Sequence, residues 1–293
     1  ITLMYGLSVL VVWVSIALFG NFLNTKDIFF EISSNIPLSM FVLLCGICFG
    51  IGMQMHLSIV KRIGLILSTS VSASCAILGG TIVTILFSEL PKGVTIPLLI
   101  LVAVLLISAT IVCQYAGILR DKDKGIAVAA TKESRKKDVF HLAFINLVLL
   151  SSYALANSIA LKTPTNPRGF EALTNMGVLV IGAFVGSLAV TLIRCHKEGG
   201  LRFDCGVSRK KLLGLALIAA CCHFGGNVLH TFFAPVISVT IATALGNSYH
   251  LWSYVWGLLY GEFKGSSVKT YAILGIGILL FVIGVVIISL KTV

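Results

Sequence analysis

Long uninterrupted apolar runs constrain this chain more than anything else in its sequence. Nine can be marked: Thr2–Phe22, Pro37–Ile59, Gly64–Phe87, Ile96–Leu119, Val139–Leu161, Met176–Ile193, Leu212–Thr231, Ala234–Tyr260 and Tyr271–Leu290. A run of about 20 apolar residues is long enough to cross a bilayer as a helix. Hydrophobic residues make up 57% of the chain and charged residues 11%, with a mean hydropathy of +1.03. That balance excludes a soluble globular domain and predicts an all-α polytopic membrane protein in contact with membrane lipid. The chain enters its first apolar run directly, so no cleavable signal peptide is expected, and sequence before Ile1 is expected instead.

The net charge of +11 is not a nucleic-acid signature, because the basic residues sit in loops between the runs. Seventeen of the 22 Lys and Arg fall in four alternate loops, chiefly Arg120–Lys137 and Arg194–Lys211. The positive-inside rule places those loops in the cytoplasm and the protein in the cell's inner membrane as a multi-pass chain.

An internal repeat accompanies this topology. Leu43–His56 aligns with Leu217–His230, superposing Cys48 on Cys222, Gly52 on Gly226 and His56 on His230. Lys92-Gly93 and Lys264-Gly265 close the following runs. The second, third and fourth runs thus match the seventh, eighth and ninth, in opposite orientation, as inverted repeats require. An offset of five runs predicts a 5+5 fold with nine spans visible and the first of ten before Ile1. The expected division is a first half over residues 1–119, a basic cytoplasmic linker over 120–137 and a second half over 138–293.

No Asp or Glu lies inside an apolar run. The polar residues there are neutral amides, imidazoles and phenols, which must find partners or line a wet cavity. His223, Asn227 and His230 share one helical face, and Asn247, His250 and Tyr254 share another. Asn146, Tyr153 and Asn157 share a third. Balanced donors and acceptors with aromatic neighbours suit a small neutral polyhydroxylated solute. The expected solute-binding residues are His223, Asn227, Asn247, His250, Tyr254, Asn157, Tyr153, Gln54 and Trp252. His223 and His250 are the expected proton carriers, since a histidine titrates near physiological pH. Tyr260 and Phe263 are expected in an interfacial aromatic belt.

Other readings are weaker. Cys45 and Cys48 have C-x-x-C spacing, but within a span they read as small buried residues. Cys195, His196 and Cys205 lack a fourth zinc ligand. Gly182-x-x-x-Gly186 and the Ser68–Ser74 stretch read as helix-packing faces. No catalytic residue, cofactor or metal is expected, and the chain is read as a monomer or homodimer.

WGLLYGEFKG (Trp256–Gly265) resembles the WGxxxGEWKG signature of the L-rhamnose–proton symporter family, with Phe263 in place of the second Trp. Cys48–Phe87 resembles the same family's first half at Gly50, Gly52, Ile63-Gly64-Leu65, Ser68 and Gly80-Thr81. The sequence departs from that pattern at Phe49, Met53 and Gly246-Asn247-Ser248. The resemblance implies the drug/metabolite transporter superfamily, ten spans in two inverted halves, and proton-coupled sugar uptake. A proton-independent exporter or facilitator of that superfamily is the alternative. A membrane-embedded enzyme and a non-transporting receptor are the readings outside it.

Overall fold

The computed structural model of the chain describes residues 1–20, 27–87, 95–125, 128–163, 166–197, 208–237 and 249–291. They form helices α1 (Thr2–Phe19), α2 (Ile28–Ser34), α3 (Ile36–Ile63), α4 (Leu65–Phe87), α5 (Ile96–Asp123) and α6 (Val128–Phe144). A π-helical segment (Ile145–Leu150) follows, then α7 (Ser152–Ala160), α8 (Ala172–Lys197), α9 (Arg209–Ile237), α10 (Tyr249–Leu259) and α11 (Val268–Lys291). Seven helical stretches among the described residues are long and apolar enough to cross a membrane. No strand occurs among the described residues, and two isolated bridges tie the α7–α8 connection.

Two apolar runs differ from the sequence pattern. The seventh was expected to end at Thr231, yet α9 continues to Ile237 and absorbs the start of the eighth. Thr231-Phe232-Phe233-Ala234 continues the helix, which ends only two residues after Pro235, whose missing N–H removes one helical hydrogen bond there. The fifth was expected to be one regular helix and instead contains the π segment. There the Asn146 side chain donates to Leu142 O at 2.7 Å. Asn146 O in turn accepts from Ser151 N, five residues on, at 3.2 Å. A polar side chain competing for backbone carbonyls is a known route to such a bulge.

The chain packs as two compact units, Ile1–Gln54 with Ser152–Val239, and Met55–Ser151 with Thr240–Val293. In the first, α1 packs on α8 and α9. The N-terminal half of α3 crosses α8 at glycines. A Cβ on Gly46 would lie 3.0 Å from Gly182 Cα, and Gly50 and Gly186 meet the opposite backbone just as closely. Small residues let the two backbones touch, which maximises dispersion where no hydrophobic effect drives association. Beside this seam, Gln54 Nε2 donates to Thr2 Oγ1 and Ser187 Oγ, both at 2.8 Å, joining α1, α3 and α8.

The second unit is built on α4, α5, α10 and α11. Its core contains Ile66, Leu67, Leu106, Cys113, Tyr254, Phe263 and Phe281. The serine-rich start of α4 is buried against α5: Ser74 Oγ donates to Leu106 O at 2.9 Å, and Gln114 Nε2 donates to Leu67 O at 2.6 Å. Two carboxylates cap helices that begin far away in sequence. Glu262 accepts from the N–H groups of Leu65 and Ile66 at the start of α4. Asp123 accepts from Ser267 N and from Thr270 Oγ1 at the start of α11. Orphan N–H groups and the positive end of the dipole favour an anion there. Phe263 is not in an interfacial belt: it is fully buried, with the Arg120 guanidinium 5.2 Å above its ring. A guanidinium over an aromatic face keeps its charge near water while covering apolar surface. Tyr260 is three-quarters exposed.

The glycine seam yields a stability prediction. Gly46→Leu forces α3 and α8 apart and costs roughly 1–3 kcal/mol by overpacking. Gly275→Leu, where nothing lies within 4 Å of a new Cβ, leaves stability nearly unchanged. Thermal unfolding of the purified variants in detergent measures the difference.

Candidate functional site

The polar residues of the first unit gather on α7, α8 and α9. Tyr153, on the face of α7 that meets α9, is the hub. Its hydroxyl lies 3.0 Å from His230 Nδ1, 3.1 Å from Thr231 Oγ1 and 3.3 Å from Asn227 O. Thr231 passes a further hydrogen bond to the Met176 sulfur on α8 at 3.1 Å. One turn along α7, Asn157 approaches the same hydroxyl, but its Nδ2 makes no hydrogen bond of good geometry. Asn157 Oδ1 instead accepts from Asn175 Nδ2 on α8 at 2.8 Å.

His223 and Asn227 lie one helical turn apart on α9, one turn below His230. Phe49 of α3 stands between two of these groups. Its ring stacks on the His223 imidazole, 6.2 Å between centroids with an 8° interplanar angle, and lies 5.6 Å from the Tyr153 ring. Tyr5 of α1 meets His223 edge-on at 6.2 Å. His223 Nε2 and Asn227 Nδ2 are buried and have no hydrogen-bond partner among the described residues. In a low-dielectric interior each such group costs about 1–3 kcal/mol.

Of the residues expected from sequence, the first unit therefore brings together His223, Asn227, Tyr153 and Asn157. Gln54 lies in the same unit but belongs to the Thr2–Ser187 cluster, as glue between helices. Tyr254 lies in the apolar core of the second unit, its ring 5.8 Å from Phe281. Trp252 is 67% exposed and Trp256 is stacked on Tyr260, the placing of indoles that face outward. Asn247 falls outside the described residues. His250 is on α10, with its side chain outside them. His56, the repeat mate of His230, sits in the second unit with Nδ1 at 3.4 Å from Ser72 Oγ and 3.5 Å from Asn146 Nδ2.

Sequence reasoning reached Phe49 only as a departure from the family pattern, and passed over Asn175 and Thr231. Phe49 is apolar, so a search for polar side chains skips it, although the repeat alignment sets it opposite His223. Asn175 falls one residue before the sixth apolar run and read as loop. Thr231 closes its run and read as an end. A groove of about 480 Å³ between α1 and α9 is a separate feature, lined by apolar groups such as Val12, Phe224 and Leu229. It offers little for a polar solute to bond. Among the described residues no three His, Cys, Asp or Glu side chains converge as metal ligands.

The helices and their buried polar face define a multi-pass helical membrane protein. No protein-family model matches the chain, and no characterised protein matches it at a significant level.

Tyr153→Phe removes the hub hydroxyl and with it the hydrogen bonds to His230 Nδ1 and Thr231 Oγ1. It is expected to lower stability by about 1 kcal/mol, read as a reduced midpoint of thermal unfolding, with Tyr153→Leu costing more.

Proposed function

We propose that the chain is a secondary transporter that moves a small neutral solute, with a sugar as the favoured class, by alternating access between two inverted halves. The observation that carries this reading is the His223–Asn227 face: two buried, unpartnered polar groups beside two aromatic rings, with no carboxylate inside any apolar run. Amide and imidazole groups bond hydroxyls, and an aromatic face covers the apolar side of a sugar ring.

The packing supports a five-span repeat. α1 packs on α8, α4 on α10 and α5 on α11, and each pair unites a helix with the one five spans later. Mates meeting in this way are what a pseudo-twofold axis in the membrane plane produces. The resemblance of Trp256–Gly265 to the L-rhamnose–proton symporter family points the same way and names L-rhamnose as the first solute to try. Proton coupling would fall to His223, with His250 as the second candidate, because no acidic relay is available at depth. The lack of such a relay equally favours a facilitator or exporter that moves its solute without protons.

His223→Ala and Asn227→Ala are each expected to reduce uptake of labelled L-rhamnose into reconstituted vesicles roughly tenfold or more, equivalent to the loss of about 1.4 kcal/mol of binding. Expression in the membrane should be unchanged. Normal uptake by both variants removes the site. Proton flux recorded in the same vesicles, with and without sugar, separates the coupled reading from the uncoupled one.

A further inference from the structure

Where the last turns of α7 meet the first turn of α8, two carboxamides are fully enclosed. Asn157 and Asn175 are each 0% exposed. Two such amides in contact can exchange a reciprocal pair of hydrogen bonds. Here they make one, Asn175 Nδ2 to Asn157 Oδ1 at 2.8 Å. The complementary atoms, Asn157 Nδ2 and Asn175 Oδ1, have no hydrogen-bond partner among the described residues. One is a donor and the other an acceptor, and they belong to the same pair. The nearest competing partner, the Tyr153 hydroxyl, is already within 3.3 Å of His230, Thr231 and Asn227 O.

The open donor and open acceptor define what would fit. A group that accepts from Asn157 and donates to Asn175 closes a ring in which each member both gives and receives a hydrogen bond. A hydroxyl does both. A carboxylate only accepts and would set its charge against Asn175 Oδ1; an ammonium only donates and would meet Asn157 Nδ2 with no lone pair. The chain shields the pair from solvent. Phe170, Leu161 and Leu173 are buried around the α7–α8 connection. Phe170 N donates to Ala160 O, and Lys162 N to Phe170 O, which fixes the connection in place.

We propose that the Asn157–Asn175 pair is a hydroxyl-reading subsite of the solute path, selecting neutral hydroxylated solutes over charged ones of similar size. This rests on the solute reading given above and adds to it a pair of residues with a stated chemical preference. Thr174 Oγ1 and Ser158 Oγ, also buried and unpartnered, flank the pair in sequence and mark this junction as a polar one.

The test uses the full chain purified in detergent, with L-rhamnose as the probe and its monodeoxy analogues, each lacking a different hydroxyl. Binding is titrated by ligand-induced thermal shift, since a ligand stabilises the state it binds. Asn175→Leu and Asn157→Leu are compared with the wild type. Leucine keeps the volume while removing the amide, and the second variant serves if the first does not fold. The expected result is binding of L-rhamnose weakened roughly tenfold or more in the variants, a loss of about 1.4 kcal/mol. One deoxy analogue should bind wild type and variant equally, because it lacks the hydroxyl the pair reads. Equal binding of L-rhamnose by wild type and variants overturns the subsite and leaves the solute reading standing. Equal weakening for every analogue also overturns it, by showing a structural role alone. A wild type that responds to no neutral sugar overturns both.

Discussion

Everything in this molecule depends on one constraint: inside a bilayer no water is available, so every polar group must be answered by the chain itself. Backbone groups answer each other within helices. Side chains then have to be placed so that amides, hydroxyls and imidazoles meet across helix boundaries. The Gln54–Thr2–Ser187 cluster, the Ser74–Leu106 bond and the Gln114–Leu67 bond all meet this demand. Against that background, His223 Nε2, Asn227 Nδ2, Asn157 Nδ2 and Asn175 Oδ1 are buried with no hydrogen-bond partner among the described residues, as are Trp13 Nε1, Gln114 Oε1 and Tyr254 OH elsewhere in the chain. Each such atom carries a desolvation cost that its helix neighbours do not offset.

The helices themselves were plain in the sequence, because hydropathy over about 20 residues is a strong signal. The finer errors have physical causes. α9 continued past Thr231 to end two residues beyond Pro235, where an apolar count implied an earlier boundary. The π segment is flanked by two side chains that take backbone carbonyls, Asn146 bonding Leu142 O and Ser151 bonding Asn146 O, which no periodicity reveals. The small residues Gly46, Gly182 and Gly186 were partly legible. Their spacing announces close packing but does not say which helix they pack against.

The candidate site was half legible. His223, Asn227, Tyr153 and Asn157 declared themselves as polar residues in apolar surroundings. Their partners did not. Phe49 looks like any core phenylalanine until its ring is found parallel to an imidazole, and Asn175 reads as loop because its helix starts before the apolar run does. Trp252 misleads in the opposite direction: a tryptophan beside polar residues looks like a binding platform, yet its helix turns it outward. The stretch Trp256–Gly265 was conspicuous as a motif, but its local work is mechanical. Gly257 comes close to Ile66, and Glu262 caps a helix begun almost two hundred residues earlier. Motif strength and chemical role are different quantities.

The bare contact between α3 and α8 has a further consequence. Where side chains interlock, one helix can slip past another by exchanging rotamers, each step crossing a small barrier. A seam made of Gly46, Gly50, Gly182 and Gly186 has no such intermediate steps, because main chain rests directly on main chain. Those two helices must therefore behave as a single solid rail. Among the described residues of the first unit, that leaves α7 and α9 as helices not locked to α3 by such a seam.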